Sequence, residues 1–333
     1  MESRRAPPPN EVGLHLLWGE GAPPPNEVGL HLLWGEGAPP PNKGPLLSDE
    51  RRHPRGASMN TTRIPILLYH SVSDSPSNEI ARWNVSKRTF LDHMDAIADR
   101  GCVTLTVSQY LNVLELKEPM PDKLVLVTFD DGFAEVASFA APALLERNIS
   151  STVFITTSPV VEASDETVRL PKAPMMDAAA VVDLEDFGVE VGSHSHTHVQ
   201  LDIIGARLAR DELVRSKMIL EDLLGHRIRS VAYPHGYSNA SVRRIAKEVG
   251  YESACGVRNA FSSLLDDEFS ISRLTVENTT SQSTINAWLD QRGAALGGAR
   301  NRYRTHLWRL YRRARLNAIP RVRPSYLKWR PLP

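Results

Sequence analysis

The sequence predicts an α/β protein in which parallel strands are joined by crossover helices. Three observations carry this. From Ile64 onward, short apolar runs alternate with longer stretches of helical period. Several of the runs are apolar without interruption, as for strands covered on both faces. The polar residues that carry chemistry cluster just after those runs, at strand-to-helix turns, where α/β architectures gather functional groups.

In chain order, Ile64–Tyr69 reads as the first strand. A helix over Ser86–Arg100 follows, with Phe90, Met94 and Ile97 forming an apolar stripe. Leu124–Phe129 is the next strand, and Gly132 permits a tight turn into a helix over Phe133–Arg147. Further strands are expected at Ser151–Ile155, Val189–Ser193, Ser230–Tyr233 and Ser270–Thr275. Helices are expected at Ala206–Leu224, Asn239–Val249 and Ser283–Leu296. Ser158–Pro174 is rich in Pro, Ser and acids and reads as a loop or lid.

Two of the turns carry the chemistry. In Thr128-Phe129-Asp130-Asp131-Gly132, adjacent carboxylates close a buried strand, and each needs a metal or a partner. An Asx turn capping the helix would explain Asp131 alone, not both acids. In Gly192-Ser193-His194-Ser195-His196-Thr197-His198, three imidazoles fall within five residues beyond a strand end. A lone His is most often structural, but this cluster favours a metal site. Spacing leaves two ligand sets open: His194 and His198 converging across a turn, or all three His on one face.

These residues resemble the polysaccharide deacetylases, the NodB-homology carbohydrate esterases. The family's T-F-D-D-G motif matches residues 128–132, and its H-[ST]-x-x-H motif matches His194, Ser195 and His198. A Y-P-[YH]-G form found in one branch matches Tyr233-Pro234-His235-Gly236, and that branch's early strand ending in Tyr-His looks like Ile66–His70. The resemblance spans roughly residues 64–280. It implies an incomplete (β/α)7 barrel and a metal-dependent hydrolase that removes N-acetyl groups from the amino sugars of a glycan. It further implies Asp131, His194 and His198 as ligands of a divalent metal, zinc above others, with Asp130 as general base. The branch resembling poly-N-acetylglucosamine deacetylases makes His70 the general acid. The turn Tyr233, Pro234, His235 and Gly236 becomes the substrate or oxyanion segment, through a backbone N–H near His235.

The departures from the family pattern also make predictions. Ala232 stands where an Arg usually braces the catalytic carboxylate, so Asp130 is expected to titrate higher than in relatives that keep the Arg. Val199 replaces a common Pro, and no D-x-x-D-W or late L-x-H motif occurs. Tyr69, Trp83, Phe133 and Tyr237 are candidate sugar platforms, although burial is the commoner fate of each. Two other functions compete: a decayed deacetylase that only binds carbohydrate, and a zinc hydrolase of another type using His194, His196 and His198.

The 333 residues balance to zero charge, but unevenly. Residues 292–333 hold 12 of the 39 Lys and Arg and no acid, leaving the remainder at a net of −12. Leu307, Trp308, Leu310 and Tyr311 lie among Arg304, Arg309, Arg312, Arg313 and Arg315, a pattern suited to an anionic membrane surface. Nothing else points to nucleic acid. Ala6–Gly21 is repeated without change as Ala22–Gly37, and Pro-rich repeats of this kind offer little core. Met59 directly precedes the first strand and reads as the natural start. The expected organisation is therefore a repeat segment over 1–58, a deacetylase domain over 59–290 and a basic tail over 291–333. Cys102 and Cys255 read as buried thiols without a disulfide framework. No stretch has the ~20 apolar residues of a membrane span, and the amino terminus lacks a secretory apolar core. A cytoplasmic protein, peripheral to the membrane, is the location expected.

Overall fold

The computed structural model describes residues 62–117, 119–162, 168–264, 266–297 and 312. The repeat segment and nearly all of the basic tail lie outside the described residues. Among the described residues, no helix is long and apolar enough to cross a membrane.

Eight short strands form one parallel sheet: β1 (Ile66–Tyr69), β2 (Val103–Thr104), β3 (Leu124–Phe129), β4 (Ser151–Ile155), β5 (Val189–Ser193), β6 (Ser230–Ala232), β7 (Ser253–Cys255) and β8 (Leu274–Thr275). The path is β8-β1-β3-β4-β5-β6-β7, with β2 paired to the start of β3. The segment ending in β8 reaches both edges of this path. Ile271 bridges Cys255 of β7, and Leu274 then pairs with Leu67 of β1. This is the incomplete barrel that the resemblance implied.

Helices cover the outside: α1 (Lys87–Asp99), α2 (Val107–Leu116), α3 (Ala141–Leu145), α4 (Ala178–Asp186), α5 (Ala206–Leu224), α6 (Ala240–Val249) and α7 (Gln282–Leu289). Each of α1, α2, α4, α6 and α7 opens with a Ser, Thr, Asp or Asn side chain that accepts a backbone N–H of the first turn. Phe90, Met94 and Ile97 of α1 are fully buried, as their stripe predicts.

Several elements differ from the sequence-based expectation. The predicted helix over Phe133–Arg147 opens instead with a π turn, Val136–Ala140, before α3. Pro142 explains this, because it lacks an N–H and its ring clashes with the carbonyl four residues back. The helix expected to reach Leu296 stops at Leu289, and Ala295–Leu296 pairs with Ala260–Phe261. The helices α2 and α4 and the strands β2 and β7 are additional to those predicted, and the expected loop over Ser158–Pro174 begins with a short helix, Ser158–Val161.

Register decides where the chemistry falls. Tyr69 pairs with Phe129, Phe129 with Val153, and Ile155 with Ser193. In a parallel sheet the residues that follow these pairs emerge at one edge, so His70, Asp130 and His194 share the same mouth.

Candidate active site

Asp131, His194 and His198 are all buried, and one ligand atom from each falls within 4.8 Å of the others. Asp131 Oδ1 lies 3.3 Å from His194 Nε2 and 3.2 Å from His198 Nε2. The opposite nitrogens face acceptors: His194 Nδ1 is 2.8 Å from the Ala232 carbonyl, and His198 Nδ1 is 3.2 Å from the Arg169 carbonyl. A carbonyl can only accept, so each Nδ1 carries a proton, and in the neutral ring this leaves a bare Nε2 turned inward. Asp131 Oδ1 itself takes no hydrogen bond among the described residues. Three acceptors therefore converge with no proton between them, an arrangement that a cation resolves. Zinc held by such atoms at ~2.0–2.2 Å spaces its ligands by about 3.3 Å, so these residues fit it.

The backbone is bent to make this group. Asp131, Ser195, His198 and His235 all sit at positive φ, between 58° and 78°. Such conformations persist only where the surroundings over-determine them, and they gather at functional sites. Glu212 on α5 supplies part of that constraint. Its carboxylate accepts from the N–H groups of His196 and Thr197 at 3.0 and 2.8 Å and from Thr197 Oγ at 2.7 Å. Burial raises the pKa of Glu212, and the bonds from the loop only partly counter this. Glu212→Gln would set an amide NH₂ against those donors. Metal affinity, read by competition with a chromophoric chelator, is expected to fall about 10- to 100-fold, the usual worth of an outer-shell partner. An unchanged affinity would show that the loop holds its shape without Glu212.

Asp130 has a partner that the sequence did not reveal. Both its oxygens are 2.7 Å from the guanidinium of Arg273, which also donates to the Gly256 carbonyl at 3.0 Å. Arg273 is fully buried beside β8. The expectation that Asp130 lacks a bracing cation is therefore wrong: Ala232 fills the usual place in sequence, and Arg273 supplies the charge across the barrel. Burial alone would raise the pKa of Asp130, yet Arg273 and then His194 outweigh it, so the pKa is lowered, contrary to expectation.

His70 reaches the same mouth. Its ring packs on Trp83 at 5.6 Å, and its Nδ1 is buried without a hydrogen-bond partner among the described residues. Burial lowers its pKa, and the attraction of Asp131 and then Asp130 only partly opposes this.

The turn Tyr233-Pro234-His235-Gly236 contributes less than expected. The Tyr233 side chain is fully buried with its hydroxyl on the Phe269 carbonyl, and Pro234 is buried too. Gly236 has φ +71, and a Cβ there would fall 2.4 Å from Val257, so its part is to allow a close approach. Tyr233 N–H bonds to the Cys255 carbonyl and Gly236 N–H to the Tyr233 carbonyl. These bonds leave His235, whose ring packs on His198 at 4.6 Å. His196 is turned away, its Nδ1 2.9 Å from Thr157 Oγ1. Of the aromatic candidates, Tyr69 and Phe133 are core residues, while Trp83 and Tyr237 line the mouth. Arg273 and Glu212 were missed in the sequence. The available signal for Arg273 was a single charge within the alternating, strand-like segment from Ile271 to Val276.

Comparison with known proteins bears on the fold and the family. A family model described as "Polysaccharide deacetylase" matches residues 117–254. The protein YxkH of Bacillus subtilis (strain 168) is 25% identical over 228 residues, covering 68% of this chain and 76% of that protein. The poly-beta-1,6-N-acetyl-D-glucosamine N-deacetylase of Staphylococcus epidermidis is 22% identical over 227 residues, covering 64% and 75%. The Streptococcus pyogenes deacetylase PplD, solved with acetate, superimposes with a TM-score of 0.61 at 22% identity, over 68% of this chain and 97% of that one. The structural likeness shows the fold. Over residues 117–254 the chain matches the polysaccharide deacetylase family, and these relatives are deacetylases.

Proposed function

We propose that this protein is a metal-dependent N-deacetylase acting on the N-acetylated amino sugars of a glycan. The observation that carries it is the convergence of three bare acceptors, Asp131 Oδ1, His194 Nε2 and His198 Nε2, beside a second carboxylate held by a buried guanidinium. When bound there, a divalent cation such as zinc polarises a carbonyl oxygen and lowers the pKa of water toward neutrality.

The remaining work falls to the chain. Asp130 takes the proton of the attacking water at its carboxylate, with Arg273 fixing the plane of that group. The lowered pKa keeps Asp130 ionised and able to accept that proton. His235 N–H is aimed at the charge that develops on the acetyl oxygen. His70, whose pKa burial lowers, takes a proton from solvent before the carbon–nitrogen bond breaks and gives it to the departing amine. Trp83, beside His70, is the aromatic residue placed to meet the sugar.

Acetate release from a panel of N-acetylated oligosaccharides tests the activity, and the absence of acetate from every member would refute it. The ligand set is tested separately by metal content. Asp131→Ala, His194→Ala and His198→Ala are each expected to abolish stoichiometric zinc, whereas His196→Ala keeps it. Loss of zinc in His196→Ala with retention in His198→Ala would overturn the assignment.

A further inference from the structure

The mouth of the site holds a charged group that the chemistry above leaves unused. Arg312 comes from the strongly basic end of the chain, yet it is only 7% exposed. Its two Nη atoms donate to both oxygens of Asp202 at 2.9 and 2.8 Å, and Nη1 also donates to Gln200 Oε1 at 3.0 Å. The flat face of the guanidinium lies over Tyr237, with Cζ 3.8 Å from the ring centroid. Tyr237 in turn stacks on His235 at 5.8 Å, and His235 packs on His198 at 4.6 Å. Guanidinium, phenol and two imidazoles thus form a continuous pile that ends on one of the three converging acceptors. The other arm of Arg312 grips Gln200 and Asp202, in the loop that directly follows His198.

This seat uses both properties that separate Arg from Lys. The fork matches a carboxylate while the face matches an aromatic ring, and an ammonium group cannot do both at once. The seat also lies where the backbone needs support, because His235 is held at φ 58°. We propose that Arg312 is a positioning residue of the deacetylation site. It clamps Tyr237 against His235 and ties that stack to the loop carrying His198, so Arg312 completes the mouth. The role rests on the deacetylase reading above. It also removes Arg312 from the charges free to meet an anionic surface.

The test uses the full-length chain with Arg312→Ala, which opens a gap lined by Asp202, Gln200 and Tyr237. The kcat for acetate release is expected to fall about 10- to 100-fold, as for a slight misplacement of catalytic groups, with KM changed less. Methylguanidinium at about 10 mM should restore much of the loss, and equal sodium chloride should not. Independently of activity, methylguanidinium should raise the melting temperature of Arg312→Ala while leaving wild type and the Arg312→Ala/Asp202→Asn double variant unchanged. Arg312→Lys keeps the charge and should remain impaired. Wild-type kcat in Arg312→Ala, or a loss with neither rescue nor thermal gain, would overturn the proposal. If the wild-type protein releases no acetate, the deacetylase reading fails by itself and the thermal result alone decides the seat. If Arg312→Ala does not fold, wild-type kcat in Arg312→Lys would overturn the proposal and an impaired kcat would support it.

Discussion

Arg273→Met is expected to be both less stable and nearly inactive. The substitution keeps much of the volume and removes a guanidinium that is fully buried against Asp130. Removing one member of a buried ion pair leaves the other charged in a dry site, a loss of about 3–5 kcal/mol. For a domain of this size that lowers the melting temperature by roughly 10 °C. Asp130 can relieve the penalty only by taking up a proton, so its pKa rises and it ceases to be a base. The kcat should then drop by about 10²–10⁴, the range for loss of a positioned base. Arg273→Lys restores the charge but not the fork, so it should recover stability better than rate. Wild-type melting and wild-type kcat in Arg273→Met would show that the pair does not brace the base.

His70→Ala should leave the metal group and the fold intact while kcat falls by about 10²–10⁴. The ring packs on Trp83, its Nδ1 has no bond to lose among the described residues, and it stands level with Asp130 across β1 and β3. The amine cannot leave readily as an anion, so the rate depends on the group that protonates it. The loss should therefore shrink for substrates with a better leaving group. An equal loss across a leaving-group series would make His70 a binding residue instead of the acid.

Most of the site was legible because its residues sit next to one another in sequence. Asp130 and Asp131 end a strand whose apolar run is unmistakable, and His194 and His198 end another. Parallel register then brings the two ends together without further information. Arg273 was not legible in the same way. Its partner lies 143 residues earlier, and the family pattern directed attention to Ala232. The general rule that a charge inside an apolar strand must be paired would have found it, since a strand over Ser270–Thr275 was already expected. The helix α2 was also within reach, because Thr106 and Gln109 form a capping box. By contrast, β7 has three residues and β2 two, too few to show any period. Arg312 reads in sequence as one more charge of a basic tail, and only its contacts with Asp202 and Tyr237 distinguish it.

The most direct test of the account is metal content and acetate release measured together on the same preparation. One equivalent of a divalent metal per chain is expected, with acetate released from an N-acetylglucosamine oligomer. Chelation should abolish both, and one equivalent of zinc should restore both. Undiminished acetate release from metal-free protein would contradict the role given to Asp131, His194 and His198.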